Sequence, residues 1–567
     1  MGVSPVLFQS AGQVSQHYIP GVYTRIDFAP SLTGNASVNN GVIIGNATGG
    51  KPGTLYVFSR YAQAKATLKS GPLLDALWHA FNPGDSYIPQ QVGAVRVNSA
   101  VQAQVVLGVL TILSADYGLA TNRIQLQVSN GTTQGKKIQV QQDTNLFTQD
   151  NVTLPAFSIQ YVGTGTACTL AISNGQLVVT ATGDAANSFS LDIVNTYQLV
   201  SDLAAFFATK PAFVFNVLGG AGVEQAQNLD TVAALDIKTA VATFRADLLA
   251  QTRALQACPL IGTITVGATR TPLANTTGWV NMTGGTEGTY TATDFSNALN
   301  YLLTQDVQFL GTSSEDAAIH ALILSHVNQA NSVNGKAERQ FIVGGALGET
   351  VSQATARAAA INSPYGAVCY PGFNAFNDAG SSQLWSPAYY AAKEVGRQVA
   401  LAVNEPATRK QVAILGWEWN LQIPDQENCI ANGVWCGAKT KDGRFVNVRS
   451  VTTYQSNDLQ QNEFSMMREA LFVVSDLRLA LDNAVIGRPM TAGILSLIDS
   501  TVAAKLNSYV TLGIFQQTQT SRGYWGYQRT INGSVVSVSF QCYLTPPTNF
   551  AFVTANMQVY SDMAAAA

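Results

Sequence analysis

Residues 307–330, VQFLGTSSEDAAIHALILSHVNQA, decide the fold class of this 567-residue chain. Val307–Leu310 is the apolar run of a short buried strand, and Ser314–Ala330 repeats apolar residues at the spacing of a helix. Between them, Glu315 and Asp316 are the acidic residues that are typical of the first turn of a helix. The stretch therefore predicts a strand, a short connection and a helix.

The same alternation of strands and helices runs through most of the chain. Short connections between such elements favour a parallel or mixed sheet that is covered by helices. Further strands are predicted at Gly41–Gly45, Tyr56–Phe58, Val92–Val97, Leu260–Val266, Gln340–Val343 and Ala367–Tyr370. Further helices are predicted at Tyr61–Phe81 (interrupted by Gly71-Pro72), Thr231–Ala257, Thr293–Thr304, Val351–Ile361, Pro387–Val403, Gln460–Asn483 and Thr491–Tyr509.

The stretch from about 101 to 200 follows a different pattern. Short segments alternate apolar and polar residues there, and Asn-Gly turn signals separate some of them. This pattern predicts a small all-β domain that is inserted into the α/β part. Its strands are predicted at Ile124–Val128, Lys137–Gln141, Phe157–Val162, Thr169–Ile172, Gln176–Thr182 and Phe189–Ile193.

Both ends of the chain alternate apolar and polar residues as strands do, at Thr24–Phe28, Gly533–Leu544 and Asn549–Tyr560. We therefore predict an α+β multidomain protein, with α/β core domains of mixed sheets and flanking helices, an inserted all-β domain, and extended N- and C-terminal strand arms. The predicted division is an N-terminal arm at 1–30, an α/β domain at 31–100 and 201–385, an inserted all-β domain at 101–200, a C-terminal α+β core domain at 386–545, and a C-terminal arm at 546–567.

The composition lacks charge. Only 11% of the residues are charged, where about 25% is usual, and the net charge is −3. Without a run of Lys or Arg, nucleic acid is excluded as the main partner, and 47% hydrophobic residues exclude wholesale disorder. The missing charge indicates either a neutral polar surface or burial against other subunits, because interface cores are depleted of Lys, Glu and Asp.

The sequence also bears on the compartment. Residues 1–20 lack the pattern of a signal peptide, and the apolar run Val105–Leu113 is far shorter than the roughly 20 residues of a membrane helix. The six cysteines are scattered along the chain, which is typical of reduced thiols rather than a disulfide framework. We expect a soluble protein that is assembled inside a cell, without direct membrane insertion.

One segment matches a nucleotide-binding pattern in part. Gly45–Lys51, GNATGGK, has the GxxxxGK spacing of a phosphate-binding loop. That loop needs Ser or Thr next, to hold Mg²⁺, and then a helix, whereas Pro52 and a predicted strand follow here. The segment is therefore interpreted as a glycine-rich turn.

Other candidate chemistry is equally incomplete. His320 and His326 share a predicted helix but lie roughly 240° apart around it, so they cannot bind one ion from one face. Cys429 and Cys436 are spaced more widely than structural zinc pairs, and Glu418, between two tryptophans, has no second carboxylate tied to it by spacing. We therefore predict no catalytic, cofactor-binding or metal-binding residues and no enzymatic activity.

Residues 282–295, MTGGTEGTYTATDF, resemble the hallmark of contractile-tail sheath proteins, with Gly284, Gly285, Gly288 and Asp294 at its defining positions. Six further fragments resemble that family in the same order along the chain. They are PGVY at 20–23, GET at 348–350, YPG at 370–372, NEPA at 404–407, NGV at 432–434, and VNVRSVTTY at 446–454, which contains Arg449. The resemblance covers roughly residues 20–80 and 205–560 and leaves the β insertion unmatched.

The resemblance implies a structural virion protein, the tail sheath subunit of a contractile bacteriophage tail. Such subunits polymerise as stacked hexameric rings around the tail tube, and the sheath contracts to drive the tube through the host envelope for genome ejection. The implied partners are other copies of the chain, the tail tube protein, and baseplate and tail terminator proteins, with no nucleic acid and no cofactor. The implied locations are the virion and, during assembly, the host cytoplasm.

The resemblance also implies that the two arms add strands to a sheet of neighbouring subunits, a mode of binding that tolerates varied side chains. A late helix of the family faces the tube, which points to Asp499 and Lys505 on Thr491–Tyr509; an ordinary amphipathic core helix is the alternative. The residues predicted to act in self-assembly are Val22, Tyr23, Ile26 and Phe28 in the N-terminal arm, and Phe550, Phe552, Val553 and Val559 in the C-terminal arm.

Two alternatives stay open at the level of the sequence. The β insertion and Glu418 would suit a carbohydrate-binding or carbohydrate-active surface protein. A sheath of a phage-derived secretion or bacteriocin particle would share the same motifs. In either sheath we expect the few charged residues to cluster at contacts with other subunits or the tube, and the insertion to stay neutral and exposed to solvent.

Overall fold

A computed structural model describes residues 6–10, 13–17, 40–84, 87–456, 458–532, 535–551 and 554, the first two segments by their backbone alone. Across these residues the chain is a mixed α/β structure, as predicted, and it has eight sheets and twelve helices. The helices are Tyr61–Leu68, Pro72–Phe81, Val200–Ala208, Asp247–Gln256, Ala292–Leu302, Ala317–Ala330, Val351–Ile361, Pro387–Ala400, Ile423–Ala431, Leu459–Asn462, Phe464–Val485 and Ala492–Thr511.

The largest sheet in the described part, here called the central sheet, has eight strands. Its six inner strands are parallel, and one antiparallel strand closes each end. The order is Phe445–Asn447, Val434–Lys439, Gly366–Tyr370, Gln340–Gly344, Phe309–Thr312, Gly41–Gly45, Val92–Arg96 and Leu55–Phe58. Parallel strands are buried on both faces, and this explains why their sequences are continuous apolar runs.

Helices cover both faces of the central sheet. Alternate side chains of one strand reach opposite layers, so Ile43 packs with Pro72–Phe81 and Pro387–Ala400, whereas Val42 and Ile44 pack on the other side. The stretch that decides the fold class forms a strand and a helix in this arrangement. Asp316 caps that helix by accepting the N–H of Ala318 at 2.8 Å.

Helix Pro387–Ala400 carries charge into the interior. Lys393, Glu394 and Arg397 are each at most 1% exposed. Glu394 pairs with Arg397 at 3.0 Å, and Lys393 Nζ donates to the carbonyl of Asn82 at 2.6 Å. Burial, opposed in part by Glu394, lowers the pKa of Lys393 to about 7. Three of the few charged side chains of the protein therefore lie in the core of the α/β part, where they fix its structure.

The strands between Gln104 and Asn281, here called the β region, enclose two apolar cores. One core lies under two sheets. The strands of the first sheet are Asn145–Val152, Lys136–Gln142, Ile124–Asn130 and Val280–Asn281, and those of the second are Ile261–Val266, Leu110–Ser114 and Gln104–Leu107. The other core also lies under two sheets. The strands of the first are Phe213–Val217, Pro155–Tyr161 and Ala242–Arg245, and those of the second are Phe189–Asp192, Gln176–Thr182, Ala167–Ser173 and Val232–Asp236. Strand pairing thus continues past residue 200, where the change in composition placed the end of the insertion.

The helix predicted at Thr231–Ala257 is wrong in its first half. The structure has strands there, Val232–Asp236 and Ala242–Arg245, and the helix is confined to Asp247–Gln256. Apolar residues three apart suggested a helix, but Val232 and Leu235 pair instead with Ile172 and Leu170 of a neighbouring strand. Such non-local pairing overrides local spacing.

The C-terminal part is built from two long helices and a hairpin. Phe464–Val485 and Ala492–Thr511 match the predicted helices closely, and Val535–Cys542 forms the predicted strand. That strand pairs with Tyr524–Asn532, and the two strands are here called the C-terminal hairpin. The smaller sheets that remain are Ser382–Trp385 with Phe373–Phe376 and Gly416–Trp417, and Val6–Ser10 with Gln13–His17.

Candidate assembly surface

The motif at 282–295 joins the β region to the central sheet. Arg96, at the end of a central strand, is fully buried and pairs with Glu287 at 2.8 Å. Its guanidinium also donates to the carbonyl of Gly50 at 2.8 Å, and Asn98 Nδ2 donates to the carbonyl of Glu287 at 2.7 Å. Burial lowers the pKa of Arg96 while the Glu287 carboxylate opposes the shift. These contacts join the segment that leaves the central sheet after Arg96 to the segment that returns from the β region through the motif.

The glycines of the motif are needed for backbone conformation and space. Gly284 and Gly288 have φ values of +83° and +63°, which favour glycine. A Cβ on Gly285 would lie 2.5 Å from Thr121 Oγ1, and one on Gly288 would overlap the carbonyl of Ser99. The motif therefore places a tight turn against the β region.

Asp294 completes the motif by starting the next helix. Its carboxylate accepts the N–H and the hydroxyl of Thr291, each at 2.8 Å, and the hydroxyl of Thr291 accepts the N–H of Asp294. This reciprocal pair is a capping box. Its role in the structure is to fix the first turn of Ala292–Leu302.

The C-terminal hairpin is the most exposed regular element near the end of the described chain. Its two strands pair with each other, and within the described ranges no other strand pairs with either outer edge. Trp525, Tyr527, Ile531 and Val535 are each more than one-third exposed. A two-stranded hairpin is marginally stable alone, so its position depends on the helices beneath it.

Helix Ala492–Thr511 holds the hairpin through Asp499. The carboxylate of Asp499 accepts the hydroxyl of Tyr527 at 2.5 Å and the guanidinium of Arg529 at 2.6 Å. Burial and this hydrogen bond raise the pKa of Tyr527 to about 12. On the same helix, Lys505 pairs with Asp476 of the preceding helix at 3.0 Å. Both charges predicted to face the tube thus have partners within the subunit, and their contact with a tube stays a prediction.

Arg449, the charged member of the fragment at 446–454, lies beside residues 543–551, here called the C-terminal tail. Its guanidinium pairs with Glu463 at 2.5 Å, and its Cζ lies 5.7 Å from the ring centroid of Phe550. Burial raises the pKa of the Glu463 carboxyl, and Arg449 opposes that shift. Phe550 is 70% exposed. The other predicted arm residues, Val22, Tyr23, Ile26, Phe28, Phe552, Val553 and Val559, lie outside the described residues.

The segments with partial enzyme-like patterns have structural roles. After Gly45–Lys51 the chain enters strand Leu55–Phe58, as predicted, and Gly50 N–H donates to Asp116 at 2.7 Å. Glu418 accepts the N–H of Gly348 at 2.8 Å, and the adjacent Trp417 is only 7% exposed. A sugar therefore could not stack on Trp417, whereas Trp419, on the other side of Glu418 in sequence, is 48% exposed.

The helix histidines are buried and hydrogen-bonded. His320 Nε2 lies 3.0 Å from the carbonyl oxygen of Ser314, and His326 Nε2 lies 2.9 Å from a guanidinium nitrogen of Arg339. Burial lowers their pKa values to about 4 and about 3. Within the described ranges, no group of three or more His, Cys, Asp or Glu side chains is arranged to hold a metal ion. None of the helices described is long and apolar enough to cross a bilayer.

Sequence reasoning missed several of the contacts that hold the family fragments in place. Arg96 and Glu287 are 191 positions apart, and Glu463 is 86 positions from Asn549, so no local spacing connects either pair. The only signal was indirect, because Glu287 and Arg449 stand inside the two longest family fragments.

No family model matches the chain. Over 560 residues it is 27% identical to the tail sheath protein of Bacillus phage SP01, covering 94% of both chains. It is 25% identical to the tail sheath protein of Staphylococcus phage Twort over 497 residues, covering 80% of this chain and 84% of that protein.

Solved structures show the same fold. The sheath tail protein of Desulfitobacterium hafniense aligns with a TM-score of 0.55 at 13% identity, over 93% of this chain and 96% of that one. The sheath tail protein of Listeria innocua aligns with a TM-score of 0.55 at 11% identity, over 90% and 96%. Over most of its length the chain is therefore similar in sequence to tail sheath proteins of phages, and it shares the fold of solved sheath tail proteins.

Proposed function

We propose that the chain is a non-enzymatic subunit of a virion tail sheath, and that it assembles as stacked hexameric rings around a tail tube. Beyond the similarity to sheath proteins, the observation that carries this proposal is the C-terminal hairpin. Its two outer edges are free of other described strands, and Trp525, Tyr527, Ile531 and Val535 are exposed on it among polar residues. An exposed edge of this kind is a template for a strand from another chain.

The arms supply such strands. An added strand that forms four main-chain hydrogen bonds contributes about 2–6 kcal/mol, at about 0.5–1.5 kcal/mol each. Because these bonds use the backbone, they persist while the domains between them change orientation. The hairpin of one subunit, with an arm from each of two neighbours, would then be a flexible but lasting link.

Contraction is a rigid-body switch in this proposal. The extended sheath is metastable, and a trigger at the baseplate lets the subunits rotate into a second packing with larger contacts. The arms keep neighbours connected during the rotation, so the change passes from ring to ring. The contracting sheath drives the tube through the host envelope, and no hydrolysis step is needed.

The remaining partners follow from this role. The tube protein lines the inside of the sheath, and baseplate and terminator proteins contact its two ends. Assembly takes place in the host cytoplasm. Both named relatives come from phages, which favours a virion over a phage-derived secretion or bacteriocin particle.

The proposal is tested by deleting residues 552–567 from the full chain. We expect the truncated subunit to keep the helix content and melting temperature of the full chain and to form no tubes in negative-stain electron microscopy. The full chain, prepared in parallel, should form striated tubes with sixfold ends. Tubes of normal length from the truncated chain would contradict strand exchange through the C-terminal arm.

A further inference from the structure

The C-terminal tail, residues 543–551, leaves the hairpin and runs along the start of helix Phe464–Val485. The backbone N–H of Thr545 is shared between the carbonyl of Ile514 at 3.0 Å and Glu469 Oε2 at 3.2 Å, and Asn549 Nδ2 donates to Glu463 Oε1 at 2.8 Å. The two carboxyl groups lie six residues apart, a rise of about 9 Å along a helix. The tail therefore crosses nearly two turns, in the direction opposite to the helix.

Both carboxyl groups that receive the tail are inside the protein, each 0% exposed. Glu463 Oε1 accepts from Arg449 Nε at 2.7 Å as well as from Asn549. Hydrogen bonds to a charged acceptor in such surroundings are the strong ones. Three segments that are distant in sequence thus meet at one oxygen atom.

The residues around this contact limit the path of the tail further. Pro546 and Pro547 stand between Thr545 and Asn549, and proline restricts the backbone to a fixed φ. Directly after Asn549, the ring of Phe550 lies against the guanidinium of Arg449. The position of the chain is therefore defined as far as Phe550.

The location of this contact matters because the tail begins close to the hairpin that offers free edges. The strand Val535–Cys542 ends directly before the tail. Closing a short loop costs little entropy, so the arm after residue 551 could pair with its own hairpin more easily than with another subunit. Self-pairing would occupy the edge that assembly needs.

We propose that Arg449, Glu463 and Asn549 form a clamp that directs the C-terminal arm away from its own hairpin and toward a neighbouring copy of the chain. This inference rests on the proposed function, since it takes the neighbouring copy as the destination of the arm. Arg449 and Asn549 are then positioning residues for strand exchange. Their removal favours a subunit that is folded but closed on itself.

The test compares Asn549→Ala with Asn549→Leu in the full chain. Leucine keeps about the volume of asparagine but has no donor for Glu463, so it separates the hydrogen bond from a merely space-filling role. Arg444→Ala is the matched control, because Arg444 and its partner Asp442 are each 57% exposed. Melting temperatures establish that each variant is folded.

Two measurements follow the clamp. The first is the rate at which chymotrypsin cleaves after Phe550 in unassembled subunits, read by mass spectrometry of the fragment 551–567. The second is the protein concentration at which tubes appear in the electron microscope. We expect Asn549→Ala to raise both by about tenfold, the factor that corresponds to one lost charge-assisted hydrogen bond. Asn549→Leu should raise both by a similar factor, and the control should leave both unchanged.

The clamp proposal is overturned if Asn549→Ala leaves either quantity at its original value, or if Asn549→Leu behaves like the unmodified chain. The deletion of 552–567 separates this failure from that of the proposed function. Loss of tubes on deletion, with normal tubes from Asn549→Ala, removes the clamp and keeps strand exchange. Normal tubes on deletion remove strand exchange, while the cleavage rate still reports whether the clamp holds the tail.

Discussion

The unpaired edge strands of the central sheet are short, whereas those of the C-terminal hairpin are long. The central sheet ends in two short antiparallel strands, Leu55–Phe58 and Phe445–Asn447, of four and three residues. The hairpin presents strands of nine and eight residues, on which Trp525, Tyr527, Ile531 and Val535 are exposed. Short edges are a protection against pairing with other chains, and long exposed edges invite it. The central sheet is thus protected against added strands, whereas the hairpin is open to them.

The distribution of charge shows the same contrast. Helix Pro387–Ala400 buries three charged side chains beside the central sheet, whereas the hairpin is held through the half-exposed carboxylate of Asp499. Buried charges tolerate no loss of a partner, and exposed ones tolerate it easily. Substitutions in the two parts should therefore differ sharply in their effects on stability.

The largest expected effect is that of Glu394→Ala. This change leaves Arg397 and Lys393 buried without their carboxylate, and removing one partner of a buried pair costs about 3–5 kcal/mol. Urea unfolding, followed by circular dichroism, measures the change in the free energy of unfolding. Arg444→Ala, at an exposed pair, should change it by less than about 1 kcal/mol. Equal effects of the two variants would show that the buried and the exposed ion pair contribute equally to the stability of this protein.

A smaller loss is expected from Gly396→Ala. Gly396 lets helix Pro387–Ala400 approach Pro72–Phe81, and an added Cβ would overlap the carbonyl of Ala80. Overpacking of this kind costs about 1–3 kcal/mol. Gly416→Ala is the control, because nothing lies within 4 Å of a Cβ at that position. If Gly396→Ala melts at the temperature of the control, close helix packing does not limit the stability of the α/β part.

The next prediction concerns pH at the base of the tail. Burial raises the pKa of Glu469 to about 9, so the folded state binds a proton that the unfolded state releases above its ordinary pKa near 4.5. The contribution of this group to stability is thus present at low pH and is lost as pH rises toward 9. Glu469→Gln removes it, and each pH unit in this window corresponds to at most about 1.4 kcal/mol.

The measurement is the difference in unfolding free energy between the unmodified chain and Glu469→Gln at pH 6 and pH 8. We expect the unmodified chain to lose stability relative to the variant by about 1–2 kcal/mol over this interval. Comparing the two chains cancels other titrating groups, such as Lys393, whose lowered pKa acts in the opposite sense. A constant difference would show that the Glu469 carboxyl does not titrate in this range.

Much of the α/β part could be predicted because its signals are local. Val351–Ile361 has the same bounds in the sequence pattern and in the structure, and Gly71-Pro72 divides two helices as predicted. Strand Tyr524–Asn532 was missed because Gly526, at a φ of +65°, and a shift in register interrupt its alternation. The helix expected before Asp247 was wrong because the strands there depend on partners about sixty residues earlier.

The candidate surface was less predictable for the same physical reason. Family fragments pointed to Gly284 and Arg449, but the partners of these segments come from elsewhere in the chain. Thr121 lies against Gly285, and Asn549 reaches Glu463 beside Arg449. Such contacts follow from the topology, which brings together segments that no spacing rule connects.

The smallest effect on stability, with a large one on assembly, is expected from Val535→Lys. Val535 is 58% exposed on the outer part of the hairpin, so its substitution should change the free energy of unfolding by no more than about 0.5 kcal/mol. A lysine on an edge strand blocks pairing with another chain, so tubes should require a much higher protein concentration. Val333→Lys is the matched control, since Val333 is 91% exposed on a loop remote from the hairpin in sequence. Tubes that form equally well with both lysines would mean that the open edges of the hairpin are not where subunits join, whereas a defect confined to Val535→Lys would locate the junction on the C-terminal hairpin.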